Sequence, residues 1–176
     1  RSSRFSHRGQ DAVDAIDSAV RIDCATHRPP VPTTTAPAET LTLKAPDLTA
    51  AERICRMPMP VQVGGLRLTL DERPIPVMAR ILSAPHLHAL QRLTLRIDRA
   101  EPLPGWVLTQ RLKKVKTLDG LEQLTLSGLA MDATALVFLG RCRFFKGLTC
   151  LDLSGCEVDV PALVALRRKA PGLAVL

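Results

Sequence analysis

Three clusters of cations carry the strongest chemical signal in this sequence. Arg111, Lys113, Lys114 and Lys116 form the first, Arg141, Arg143 and Lys146 the second, and Arg167, Arg168 and Lys169 the third. A guanidinium holds phosphate through two parallel hydrogen bonds and an ammonium holds it as a point charge. Residues of these types, recurring at regular intervals, suit a polyanion backbone. Placed at helix C-terminal ends they also complement the helix dipole, at about 0.3–1 kcal/mol each. Two readings therefore stand together, a phosphate-tracking stripe and a set of dipole complements. The whole chain leans the same way, with a net charge of +7 and 24 Lys and Arg, 18 of them Arg. Such a balance suits RNA or an acidic partner.

A second set is Arg67, Arg92 and Arg96, which flank a line of small polar residues: Thr42, Thr69, Thr94, Thr125 and Asp152. These arginines are candidates to hold an acidic segment of a partner protein; the alternative is an ordinary sheet surface. Trp106, the only Trp, follows Pro104 and Gly105. It serves either as an interface anchor or as core filler.

Nothing comparable points to catalysis. There is no G-x-S-x-G, and no paired carboxylate with a plausible cleft. His86 and His88 lie two apart with no third ligand beside them. Gly64-Gly65 precedes an expected strand, which a phosphate loop does not. Five Cys with no C-x-x-C favour neither a zinc site nor a disulfide framework, and suit a reducing compartment. The expectation is a non-enzyme with no cofactor, no metal and no small-molecule substrate. Aromatic residues make up 3% of the chain, too few for base-stacking platforms. No apolar run approaches the roughly 18 residues of a membrane span.

The elements that must position these residues are announced by a recurring phrase. Arg67-Leu68-Thr69-Leu70 returns as Arg92-Leu93-Thr94-Leu95, as Gln123-Leu124-Thr125-Leu126 and as Cys150-Leu151-Asp152-Leu153. Thr40-Leu41-Thr42-Leu43 anticipates it, and Leu173 to Leu176 echoes it. The first Leu falls at 41, 68, 93, 124, 151 and 176, giving steps of 27, 25, 31, 27 and 25 residues. A period in the twenties predicts a leucine-rich-repeat solenoid. Each phrase is a short strand with its two Leu facing inward, and a helix follows it. Thr49 with Glu52 makes a capping box for a helix running to about Arg56. Pro76 opens Val77–Ser83, Asp132 caps Ala133–Arg143, and Asp159 with Pro161 starts Ala162–Lys169. The longest step places an insertion at Glu101–Lys116.

Residues 1–39 read as an N-terminal arm and 40–176 as the repeat domain. In the arm, 11–22 carries Ala12, Val13, Ile16, Ala19 and Val20 at helical spacing, and His27–Pro37 is a Pro/Thr-rich linker. The first ten residues hold Arg1, Arg4 and Arg8 with Ser2, Ser3 and Ser6 and no acid, a composition that resembles the end of a mitochondrial transit peptide.

Leu148-x-x-Leu151-x-Leu153-x-x-Cys156-x-Val158-Asp159 resembles the cysteine-containing class of leucine-rich repeats. The Val–Asp pair stands closer to the Cys than that class usually has it. The preceding repeat matches in register, with Leu129 at the Cys position and Met131-Asp132 at the Val–Asp positions. Such repeats occur in F-box substrate adaptors and in a mitochondrial family similar to ATP synthase subunit s. The resemblance implies an α/β solenoid of short parallel strands and outer helices, and a binding role.

The favoured expectation is a structural subunit or assembly factor of a large mitochondrial ribonucleoprotein in the matrix, above all the mitochondrial ribosome. Its partners would be protein subunits and rRNA. The first alternative is an assembly protein of a respiratory complex or ATP synthase, resembling subunit s. The second is an F-box-type adaptor, for which residues 1–39 are too short and too polar to supply the F-box.

Overall fold

Leucines at alternate positions bury one side of each phrase and leave the other side polar. A computed structural model describes residues 20–23, 39–56, 63–71 and 74–176. The phrases are strands: β2 (Glu39–Lys44), β3 (Val63–Leu70), β4 (Arg92–Ile97), β6 (Gln123–Ser127) and β8 (Cys150–Asp152). With β10 (Ala174–Val175) they run parallel and lie side by side in chain order. Leu41, Leu43, Leu66, Leu68, Leu93, Leu95, Leu124, Leu126, Leu151 and Leu153 are all buried on one face. The protein is thus α/β with a mostly parallel sheet.

Helices follow the strands as α1 (Leu48–Arg56), α2 (Pro74–Leu82), α3 (Gly105–Leu112), α4 (Ala133–Leu139) and α5 (Val160–Lys169). Each packs on the next, and their buried leucines join the strand leucines in one aliphatic core with Phe144 and Phe145. Three short bridges, β5 (Leu103–Pro104), β7 (Leu129–Met131) and β9 (Glu157–Val158), pair parallel in a second sheet just before α3, α4 and α5. The sequence reading did not anticipate this sheet.

Local chemistry recurs with the phrase. Asp132 and Asp159 cap α4 and α5, each accepting the backbone N–H three residues on, from Ala135 at 2.7 Å and Ala162 at 3.0 Å. Replacing either by alanine should cost about 1 kcal/mol. A fall in thermal midpoint should follow, and an unchanged midpoint in both variants would remove the caps from the list of stabilising contacts. The paired strands Met131↔Val158 set these caps in equivalent places. Gly128 and Gly155, just before β7 and β9, both take positive φ, 74° and 80°.

Several expectations need correction. β3 aligns Leu66 with Leu41 and Leu93, and Leu68 with Leu43 and Leu95. The matching leucines are therefore 41, 66, 93, 124 and 151, in steps of 25, 27, 31 and 27. The row across the open face is Thr42, Arg67, Thr94, Thr125 and Asp152; Thr69 lies one row further, beside Lys44 and Arg96. Leu66, Leu68 and Leu70 alternate alike, so a slip of two residues keeps every leucine on the buried face. At the end of the chain Val175, not Leu176, pairs with Leu151, and Leu176 is 73% exposed.

The extra length of the long step is also elsewhere. Leu103 and Leu129 pair in the second sheet, yet Leu103 follows Leu93 by ten residues and Leu129 follows Leu124 by five. The insertion is the exposed stretch between Ile97 and Leu103, upstream of most of Glu101–Lys116.

Asp47 rather than Thr49 caps α1, accepting the Ala50 N–H at 2.6 Å, while Glu52 pairs with Arg56 at 4.0 Å. Pro74 rather than Pro76 opens α2, and α4 ends at Leu139, short of Arg143.

Of the expected helix at 11–22, the end is strand: β1 (Val20–Asp23) pairs antiparallel with β2. Val20 and Ile22 are β-branched, and the outer side of β2 offers backbone groups that a strand can pair with. Residues 11–19 and the Pro/Thr-rich linker lie outside the described residues.

Candidate functional site

Helix α3 ends at Leu112, with Lys113 as its C-cap, and a short 3-10 turn, Lys116–Leu118, carries the chain toward β6. One unit later α4 ends at Leu139, and the corresponding turn is Arg143–Gly147. α5 closes on Arg167, Arg168 and Lys169 in its last turn. All ten cations of the three clusters are exposed. Buried leucines fix the alignment, since Leu112, Leu139 and Leu166 recur at steps of 27. On that spacing Lys114, Arg141 and Arg168 correspond, as do Lys116 and Arg143.

Of these ten cations only Arg143 has a carboxylate partner among the described residues, Asp119 at 3.7 Å, on the surface. The other nine cations have no carboxylate within salt-bridge distance among the described residues. Arg111, Lys114 and Lys116 share one cleft with Ala79, Leu82, Ser83, Val115 and Thr117, about 320 Å³ in volume, between the ends of α2 and α3. The Thr117 hydroxyl donates to Leu82 O at 2.6 Å, tying the 3-10 turn to α2 across the floor of this cleft.

This geometry separates the two readings of the cations. Stabilisation by the helix dipole falls off within the last turn. Arg111 and the trio of α5 sit in a last turn and fit that account. α4 has no basic residue in its last turn, and Lys116, Arg141, Arg143 and Lys146 lie beyond their helices. The dipole of the preceding α-helix does not account for those four, of which Arg143 pairs with Asp119.

No protein-family model matches this chain, and no curated protein matches it.

The second candidate set lies on the open face of the sheet. Arg67 and Arg92 line a notch of about 380 Å³ with Thr40, Thr42, Gly65, Leu66, Leu93, Thr94, Gln123 and Thr125. Arg96 stands on the same face beyond it, in register with Thr69 and Ser127. Sequence reasoning missed Thr40, Gly65 and Gln123. The slipped register hid them, because it placed Gly64-Gly65 ahead of the strand instead of within β3. The spacing from Leu41 to Leu66 was the available signal, but it fits a period in the twenties no better than Leu41 to Leu68.

Trp106 is 39% exposed in the first turn of α3 and does not fill the core. Its carbonyl accepts from the Thr109 hydroxyl at 3.2 Å, which satisfies the one buried polar side chain among the described residues. The ring remains available as a surface anchor.

Cys156 is half-buried, and its thiol donates to Leu126 O at 3.2 Å, linking the turn after β8 to β6. Burial pushes its pKa up. Among the described residues no group of three His, Cys, Asp or Glu is placed to hold a metal ion, and no helix is long and apolar enough to cross a membrane.

Cys142 is buried, with its thiol 3.4 Å from Phe138 O. Burial pushes its pKa from 9.0 up to about 11, against a smaller opposing pull from Lys113. The unfolded chain therefore releases this proton first. Below pH about 9 the thiol is neutral in both states and the contribution is complete; it is lost as pH rises toward about 11. Urea midpoints measured between pH 8 and 11 should fall, and fall less in Cys142→Ala. The sequence has no Tyr to titrate in the same range. Parallel pH profiles for the two proteins would refute this assignment.

Proposed function

We propose that the chain is a leucine-rich-repeat solenoid acting as a non-catalytic scaffold: a structural subunit or assembly factor of a large mitochondrial ribonucleoprotein, above all the mitochondrial ribosome. Support for the solenoid is the run of parallel strands in chain order, with caps and positive-φ glycines recurring at equivalent places. The observation that carries the RNA role is the set of exposed cations beyond the helix ends: Lys116, Arg141, Arg143 and Lys146. The resemblance of the first ten residues to a transit peptide is the support for the mitochondrial matrix. In this reading phosphates track along the three basic clusters, and the open sheet face meets protein.

Neutralising Lys116, Arg141, Arg143 and Lys146 together tests the RNA role. Each phosphate contact to a single strand contributes a slope of about −0.7 in log K against log salt, so losing four should flatten it by roughly 3. Unchanged affinity and slope would overturn the RNA role. Sedimentation through a salt gradient tests the complex. Migration with ribosomal subunits supports the ribosome, and migration with membrane complexes favours an assembly protein similar to subunit s instead.

A further inference from the structure

The open face of the sheet carries a built notch whose shape and charge specify a ligand. Neighbouring positions along the first outward row are Thr40, Gly65, Arg92, Gln123 and Cys150. Every residue in this row except Gly65 brings a side chain. A Cβ at Gly65 would stand 2.6 Å from the Thr40 hydroxyl oxygen, so glycine there lets the Thr40 side chain lie down against β3. With no side chain at Gly65 and Thr40 laid against it, the surface is low between Arg67, two residues further along β3, and Arg92 on the adjacent strand. The resulting 380 Å³ falls at the lower end of the ~300–1,000 Å³ typical of ligand sites.

Both arginines are exposed, and neither has a carboxylate within salt-bridge distance among the described residues. Arg96 shares this condition. The one described acid in the next row, Asp152, is held by the Ser154 N–H at 2.8 Å and lies beyond Thr125. The arginine pattern is itself periodic. Arg92 and Arg96 lie four residues apart on β4, about 13 Å at ~3.3 Å per residue. Arg67 sits beside Thr94, midway between them, one strand over.

An extended peptide has that same rise, so acids at alternate positions i, i+2 and i+4 would fall opposite Arg92, Arg67 and Arg96. The lining holds four threonine hydroxyls and one glutamine amide, which can hydrogen-bond carboxylates and peptide groups. It holds no aromatic ring on which a base could stack.

We propose that this notch binds an extended acidic segment of a partner protein, with Asp or Glu at three alternate positions running along β4. The central carboxylate meets Arg67, and the outer two meet Arg92 and Arg96. This deepens the scaffold reading by giving its protein partner a chemistry, and it uses a surface separate from the basic helix ends.

Fluorescence anisotropy on the full chain tests it with two labelled peptides of one composition. One has three Glu at alternate positions and the other has them contiguous. The alternating peptide should bind about ten-fold more tightly, the equivalent of one well-made charge-assisted contact. Arg67→Gln and Arg92→Gln should each weaken it by about ten-fold, while Arg53→Gln, exposed on α1, should leave it unchanged. Equal affinity for the two peptides would overturn the proposal. So would indifference to Arg67→Gln and Arg92→Gln, or displacement by single-stranded RNA at equal charge. Failure of RNA binding at the helix ends with intact peptide binding would leave this site standing and reject only the ribonucleoprotein reading.

Discussion

Gly128→Ala should destabilise the protein by about 2–4 kcal/mol, well beyond an average substitution. Two separate costs meet at this position. The backbone holds φ at 74°, where an L-residue with a Cβ loses roughly 1–2 kcal/mol. The added methyl would also be driven into Ile97 O, with the Ile97 carbonyl carbon at 3.0 Å. That obstacle is backbone and cannot rotate away. Nor can Gly128 retreat cheaply, because its N–H donates to Gly155 O at 2.9 Å and its carbonyl accepts from Leu103 at 3.1 Å. Those bonds tie three successive units together beside the second sheet, so a shift at Gly128 spreads to both neighbours.

Gly155 supplies the internal control. Its φ of 80° is equally unfavourable, but its Cβ would meet only the Ser127 Cβ, at 3.4 Å, an ordinary contact. Gly155→Ala should therefore show only the conformational cost, about 1–2 kcal/mol. Urea denaturation of both variants decides the matter. Equal losses would mean that the close approach to Ile97 contributes nothing.

This contrast illustrates what the sequence could and could not reveal. Gly128 and Gly155 stand at the same place in their phrases, and the strands, caps and cation clusters around them were legible because each repeats a local pattern. Alternation identifies a buried face, and an acid before an apolar run identifies a cap at Asp132 and Asp159. The register of β3 was not legible. Leu66, Leu68 and Leu70 satisfy the same alternation under a two-residue slip, and only pairing with β2 and β4 resolves it. The notch was lost with the register, since it depends on Gly65 facing Arg92 across two strands. The place of the insertion was hidden for a related reason. Pro102, Pro104 and Gly105 look like a loop in isolation, yet Leu103-Pro104 is a bridge strand once β7 lies beside it. Trp106 followed the same course, because its exposure depends on which side of α3 meets the core. What one segment encodes was readable; what two segments encode jointly was not.

Leu126→Ala should cost about 3–5 kcal/mol, whereas Leu176→Ala should stay within about 0.5 kcal/mol of the parent. Both residues close an L-x-x-L or L-x-L phrase, so the repeat alone assigns them the same role. Leu126 is fully buried in β6, between β4 and β8, and its carbonyl receives the Cys156 thiol. Truncation there leaves a cavity lined by a rigid sheet, which cannot collapse around the missing atoms. Leu176 is 73% exposed. Its structural contribution is made by the backbone: its N–H donates to Leu151 O at 3.0 Å and its carbonyl accepts from Leu153 at 3.1 Å. Alanine keeps both bonds. Against a total stability of about 5–15 kcal/mol for a domain, the first change should lower the urea midpoint by a large fraction and the second should leave it in place. A comparable loss from Leu176→Ala would show that its side chain is buried in solution, and that the last phrase contributes a second core leucine beside Leu173.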